Sequence, residues 1–574
     1  MNKKALEVQN WLNPNQQATR IADYWVSWNN LREKQRERWR EIDAYIHATS
    51  TLDLMEHSAW DHTTHIPIVA EIFEDLVAIM NDTVIPHEDW LGWRPFDSTA
   101  NSKQKRDKVL AYIRNRHELN GFNSTMNELL SDYIRYGNAF VMTVAKTSMD
   151  GYIGPMPVRI SPYDIVFNPT ATRFENTPKI IRQVMDLGEF KMFCEEHSAD
   201  INSGIMQQVL DRRGSYGSVD MAELDKNTQY LPDGFSSLSS YFMQSGMVEL
   251  LWFFGDVYDN TTQTLHRNRK MIIVDRVNVL LDVEELNPRI RKAGYRPRPD
   301  NLWAQGALDN IIGMNYQINH RENSKSDAID RFIHPDRLFV GDVEEIWDET
   351  TGQYKYLAPE NGMVRDITPD GSVLSFNAEV DTLTLRARSA ARLPLQLAGF
   401  RTPGEKTAFE VQSLNEGAFR GFINKAEQFE IELLEPMVRD EIQVGRDNLA
   451  SALQVATSDD EGFTMMLEIT EQDLKSNGVL VPYGARRFKR ELQQMNMLYQ
   501  LSNSQLGAMI APHISTFNLA KLVERLGGFD KFEFIDKFAS IDEQLEAQKL
   551  QATAEELQLQ DLQQRQAQDQ MMME

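Results

Sequence analysis

The stretch 301–437 constrains the fold more than any other part of this chain. Trp303, Ala307, Ile311, Met314 and Ile318 recur at three- and four-residue steps, the apolar face of a helix over 301–333. The following segment, 319–327, is polar on every side. At about 1.5 Å per residue such a helix would span roughly 45–50 Å. A helix of that length with a wholly polar half either crosses a solvated gap or packs against copies of itself.

The insert 334–378 carries turn signals at Thr351-Gly352, Asn361-Gly362 and Asp370-Gly371. Short β-prone runs lie between them at 337–340, 354–357, 363–367 and 373–376, which is hairpin chemistry. A second helix follows over 379–398, with Arg386, Arg388 and Arg392 on or near one face and Pro394 as a kink or stop. Gly399, Phe400, Arg401, Thr402, Pro403, Gly404 and Glu405 make a loop. Thr407 then caps a third long helix over 406–445, and Glu410 completes the capping box. Val411, Leu414, Ala418, Phe422, Phe429, Leu433 and Met437 mark its buried stripe. The order is helix out, β insert at the tip, helix back, loop, long helix. A lone monomer gains little from such an arm, whereas several copies side by side would form a tube.

Three strings carry a resemblance. Tyr295-Arg296-Pro297-Arg298-Pro299-Asp300 leads into Asn301-Leu302-Trp303-Ala304-Gln305-Gly306. Thr402-Pro403-Gly404-Glu405-Lys406 leads into Thr407-Ala408-Phe409-Glu410-Val411. The third is Arg159-Ile160-Ser161-Pro162-Tyr163-Asp164-Ile165-Val166-Phe167-Asn168-Pro169. In this order and spacing the chain resembles the portal (head–tail connector) proteins of tailed bacteriophages, those of short-tailed phages most closely.

The resemblance implies an α+β, predominantly helical fold that closes into a ring oligomer of about twelve copies, with wing, stem, clip and crown parts. On that pattern 1–300 is wing, 301–333 and 379–398 are stem helices and 334–378 is the clip. Residues 399–405 become the tunnel loop, 406–445 a long wing helix and 446–540 wing and crown. The Gln-rich segment 541–574 is a crown helix or a loose tail; Leu545, Ala552 and Leu559 fall seven apart there. The implied role is the channel for double-stranded DNA at a capsid vertex of the virion. The implied partners are sister copies, the major capsid protein, the terminase large subunit and a tail adaptor. The tunnel loop would line the narrowest passage, with Arg401 aimed at phosphate. Arg386, Arg388 and Arg392 would line the channel or pair between subunits.

Composition bears on this reading in three ways. The formal net charge of −25 argues against a protein that grips DNA by its phosphates, yet suits an acidic conduit through which DNA slides. The single cysteine, Cys194, cannot form an intrachain disulfide. No apolar run reaches the roughly 20 residues of a membrane span, and the first residues lack a signal-peptide pattern, so synthesis in the host cytoplasm is the expectation.

Upstream of the arm, 1–298 reads as α+β. Helices are expected over much of 1–50 and at 66–81, 103–116, 122–136 and 188–197, and strands at 139–144, 157–160, 165–167, 180–186, 248–258 and 270–281. The stretch 86–95 reads as a loop anchored by Trp90 and Trp93, and 202–240 as an irregular excursion. Further on, 462–467 reads as a short strand and 471–478 as a helix. The mixed charges of 31–41 suit a solvated helix face, and a basic strip facing DNA or a neighbour is the rival. The basic run 289–298 would touch DNA or pair with acidic groups of the next subunit. His57, Asp61, His62 and His65 match no metal-site spacing, and surface or interface histidines are the preferred reading.

No catalytic signature is present. The string 399–407 comes near a phosphate-binding loop, but Glu405 puts Lys406 out of register and adds a carboxylate where phosphate would sit. The expectation is therefore no enzyme, no cofactor and no metal, with the packaging ATPase a separate protein. The alternatives are a non-ring scaffold or tail component of the virion, and a virion-associated enzyme.

Overall fold

In the computed structural model the described residues are 14–47, 62, 64–85, 90–96, 103–147, 153–198, 200–212, 247–259, 263–333, 336–341, 344–348, 353–357, 363–367, 376–392, 421–449, 452–458, 464–475 and 478–485. The chain divides into two compact units, 1–457 with 466–485 and 458–465 with 486–574. Of the second unit only Ser458, Thr464 and Met465 are described. Among the described residues helix and strand are mixed, with helix the larger share.

The first unit opens with α1 (Pro14–Leu31), α2 (Glu33–His47) and α3 (Ile68–Val84). Strand β1 (Leu91–Pro95) and helices α4 (Lys103–Leu119) and α5 (Phe122–Arg135) follow. Then come β2 (Asn138–Thr147), β3 (Ile153–Ile160), β4 (Ile165–Phe167) and β5 (Lys179–Met185). Helices α6 (Leu187–Glu196) and α7 (Ser203–Arg212) precede β6 (Val248–Asp259), β7 (Thr264–Val274), β8 (Asn278–Glu284) and β9 (Ile290–Gly294). Two antiparallel sheets result, β3-β2-β9 and β4-β5-β6-β7-β8. The upstream helices and strands fall close to their expected places, with three corrections. The stretch 86–95 contains β1, which pairs with Gly478–Pro482 rather than running as a loop. The run 270–281 is broken by a turn at 275–277 into β7 and β8, because Asp275 and Arg276 take positive φ. The polar stretch after 202 begins with the helix α7.

The main core is aromatic. Trp39 of α2 packs edge-on against Tyr163 and Trp303, and Trp303 stacks on Phe167 with centroids 4.5 Å apart. The buried carboxylate of Asp43 accepts hydroxyls from Tyr136 at 2.9 Å and Tyr163 at 3.1 Å, so these phenols stay satisfied inside.

Trp303 sits on a strand, which corrects the expected start of the first arm helix. Residues Arg296–Arg298 (β10) and Asn301–Gln305 (β11) form a two-stranded ribbon, and the helix proper, α8, is Ile312–Ile333. The close-packed backbone explains the break. A Cβ on Gly306 would lie 2.6 Å from the Arg135 carbonyl, and one on Gly137 would lie 2.2 Å from the Gln305 backbone. Two glycines let the chain pass backbone to backbone where a helix would not fit.

The arm continues as Asp336–Val340 (β12), Glu344–Asp348 (β13), Gln353–Leu357 (β14) and Met363–Ile367 (β15), then α9 (Phe376–Ala390). The strands make two ribbons, β12 with β15 and β13 with β14. Three expected strands are found, β13 is additional, and of the expected fourth only Phe376 is described, where it opens α9. Helix 421–429, a π-helical turn Glu430–Leu434 and α10 (Glu435–Asn448) form the described part of the third long helix. Its stripe residues Phe422, Phe429, Leu433 and Met437 are buried as expected, while Val411, Leu414 and Ala418 lie outside the described residues. Strands β16 (Leu453–Ser458) and β17 (Thr464–Ile469) pair, and the short α11 (Glu471–Leu474) ends before β18 (Gly478–Pro482), so 471–478 is not one helix. The segment 541–574 lies outside the described residues.

Candidate functional site

The arm is where sequence and structure bear on function together. Its first helix, α8, carries Asn315, Asn319, Asn323 and Asp327 four residues apart, all on one face. Each accepts a backbone N–H from the segment 62–69. Asp327 takes His62 at 3.0 Å, Asn323 takes Thr64 at 2.8 Å, Asn319 takes Ile66 at 3.0 Å and Asn315 takes Val69 at 3.2 Å. The match is metric. Four helical residues rise about 6.0 Å and two extended residues about 6.6 Å, so from Asp327 to Asn319 every fourth helix position meets every second N–H, and the last step, to Val69, spans three residues where α3 begins. Val69 lies in the first turn of α3, whose N-cap Pro67 offers no side-chain bond, so Asn315 satisfies one of that helix's free donors from a distance. The polar half of α8 is thus used inside its own chain, where the sequence pointed to a solvated gap or to sister copies.

The histidines near this ladder are explained by it. His62 Nε2 lies 2.6 Å from Asp330 Oδ2, and His65 Nδ1 lies 3.0 Å from the Asn319 amide. His57 and Asp61 lie outside the described residues. Among the described residues no His, Cys, Asp and Glu group is arranged to hold a metal ion.

The tip of the arm is apolar and open. On the β12–β15 ribbon, Leu338, Val340, Met363 and Ile367 share one face by register, and all are about half exposed or more. Phe332 and Ile333 at the end of α8 and Trp347 on β13 are exposed as well. Two-stranded ribbons are marginal in water unless something packs on them.

The arginines expected to matter divide three ways. Arg388 is buried on α9 and donates to Glu71 of α3 at 2.9 Å, so it pairs within its own chain. Arg386 is exposed and makes no hydrogen bond or ion pair among the described residues. Arg392 ends the helix in the left-handed region at φ 60°, its guanidinium against Gly421, where a Cβ would come within 3.1 Å. The Arg392 side chain thus reaches Gly421 across the stretch 393–420 in sequence. The loop residues Gly399 to Glu405 lie within that stretch and outside the described residues.

The first half of the basic run 289–298 is tied down inside its own chain, while Arg298 at its end is exposed. Arg291 makes a two-pronged bond to the buried Asp440 at 2.6 and 2.8 Å, which holds its guanidinium protonated above the ordinary range. Arg289 reaches Asp447 at 3.2 Å, and Glu432 accepts the Gly294 N–H at 2.9 Å. Burial holds Lys292 down at about 8 against the pull of Glu432 and Glu175. Part of the acidic excess is thereby spent on the third long helix. What sequence reasoning missed was this helix as the partner, since Arg291 and Asp440 stand 149 residues apart.

Tyr295 marks the root of the arm. Lys425 donates to its carbonyl and lies 5.4 Å above its ring, and the Arg296 guanidinium lies 5.8 Å from the same ring. Burial, then Arg392 and Arg296, hold the Lys425 amine below its ordinary range. This arrangement gathers positive charge at the root of the arm. No described helix is long and apolar enough to cross a membrane. Neither a protein-family model nor a curated protein matches this sequence.

Proposed function

We propose that this chain is a portal protein of a tailed bacteriophage of the short-tailed type. Copies close into a ring at a capsid vertex, and double-stranded DNA enters and leaves through the central channel. The arm formed by α8, the two ribbons and α9 is the protomer's share of stem and clip. The clip meets the terminase large subunit during packaging and a tail adaptor afterwards, and the remainder meets the capsid shell.

The observation that carries this reading is the exposed arm tip. Nearly half of the large apolar side chains exposed among the described residues lie between 316 and 385. Contiguous exposed apolar surface marks interaction sites, and ribbon edges without neighbours invite added strands. Sister arms side by side would cover both. The net charge of −25 per copy supports a conduit that repels the phosphate backbone and lets it slide. The absence of a catalytic signature in the sequence supports a passive channel over a virion enzyme.

Electron microscopy of the purified full chain is the test. Rings with a central hole are expected. Rods would favour a scaffold or tail component, and compact monomers at micromolar concentration would overturn the portal reading.

A further inference from the structure

A cavity of about 340 Å³ lies between α2 and the β10–β11 ribbon, within the first unit. Lys34 and Arg38 are one helical turn apart on α2 and line it from one side. Arg298, Asn301 and Gln305 line it from the ribbon, and Asp309 is its one carboxylate. Lys34, Arg38 and Arg298 are exposed, and none makes a hydrogen bond or ion pair among the described residues. Their neighbours are already committed: on α2 Glu33 pairs with Arg36 and Arg40, and just before it the buried Arg32 donates to the carbonyls of Pro162 and Tyr163. Three exposed cations with no hydrogen bond or ion pair among the described residues therefore line one concave space in a strongly acidic chain.

We infer that this cavity binds a phosphate group. Three cations around one space match a polyanionic head with several acceptor oxygens, and two of them are guanidinium forks suited to two-pronged bonds. Burial pushes the Asp309 carboxyl above its ordinary range, against the Gly306 N–H and then the charges of Arg38, Arg296 and Arg298. The recognition is of the phosphate and not of a base. Trp39 and Trp303 line the cavity, but both are almost fully buried, and the faces of Trp303 are taken by Phe167 and by the Arg32 guanidinium at 4.9 Å. No indole face is left for a base to stack on. The phosphate belongs either to a free anion or to a nucleic-acid backbone. This site rests on its own lining and does not depend on the ring.

Titration calorimetry of the full chain at low ionic strength tests it, with inorganic phosphate in one arm and a short duplex DNA in the other. Saturable binding is expected in at least one arm, weakened at least tenfold by Arg38→Gln with Arg298→Gln. The pair Arg439→Gln with Arg446→Gln removes the same charge elsewhere and should change affinity less than twofold. The single variant Arg298→Gln, at an exposed position, should weaken binding at least threefold and guards against a folding defect. Loss in the phosphate arm assigns a free anion, and loss only in the DNA arm assigns the backbone. Equal binding by all variants, no saturable binding in either arm, or acetate competing as well as phosphate would each overturn the inference.

Discussion

Asn323 and Thr64 bond each other twice: the Asn323 carbonyl oxygen takes the Thr64 N–H at 2.8 Å, and its amide donates to the Thr64 carbonyl at 3.2 Å. Asn323 is fully buried, so no water stands ready to replace it. Asn323→Ala leaves a donor and an acceptor unmet, a loss of roughly 1–3 kcal/mol. The amides of Thr64 and Ile66 should then exchange with deuterium about tenfold faster or more, since about 1.4 kcal/mol corresponds to tenfold. Unchanged exchange at Thr64 would mean that the ladder does not hold the segment.

This pairing also marks how far the sequence could be read. The polar half of α8 was visible, and so was the four-residue step of its asparagines. What was not visible is the partner, 259 residues earlier, because an extended segment supplies only backbone N–H groups and leaves no pattern of side chains. Trp303 misled for a related reason. Its four-residue step to Ala307 suited a helix, but the close approach at Gly306 and Gly137 sets the local backbone, and that is a tertiary fact. Strands β12, β14 and β15 were legible in their β-prone runs, whereas β13 and the pairing of β12 with β15 were not. The phosphate cavity was half legible, since Lys34 and Arg38 stood in a mixed-charge run, yet Arg298 joins them only through the fold.

The Arg291–Asp440 pair makes a second prediction. Asp440 is 1% exposed, and removing it strands the guanidinium near a desolvated helix. Asp440→Ala should lose on the order of 3 kcal/mol in chemical denaturation, whereas Arg291→Met with Asp440→Leu should recover most of that loss. If the single and double variants lose stability equally, the charge pairing is not what joins β9 to the long helix.

Lys179 gives a pH dependence. Its amine is buried, donates to the carbonyls of Glu175 and Thr177 and lies 4.7 Å from the Phe174 ring, and burial pulls it from 10.5 down to about 8. Between those values the unfolded chain keeps a proton that the folded chain has released. Stability therefore rises with pH from about 8 to 10.5, and the penalty of the buried charge is fully present below about 8. The stability difference between wild type and Lys179→Met should shift toward wild type across that window. A difference that stays flat from pH 7 to 10.5 would rule out a depressed amine.

The portal reading assigns the stretch 399–405 to the narrowest part of the channel. Deleting it should leave ring assembly intact, because the Arg392 side chain already reaches Gly421 without it. Heads built on the deletion variant should package or retain DNA poorly, measured as DNA protected from nuclease. Normal protection would remove the loop's role and leave the ring untouched.

Leu338, Val340, Met363 and Ile367 provide the sharpest test of assembly, because they lie on one ribbon face and Val340 stands directly opposite Met363. In a monomer this face meets water, so Val340→Asp with Met363→Asp should leave the secondary structure and melting temperature nearly unchanged. In a ring the same face is buried against the next arm, and two carboxylates there would face desolvation with a single cation, Arg365 opposite Leu338, on that face. Sedimentation should therefore show wild type as a large closed oligomer and the double variant as monomers or open fragments. Variant rings that form at wild-type concentration would mean that the ribbon face is not what joins the copies, and the arm's apolar tip would then have to be reserved for a partner other than its sisters.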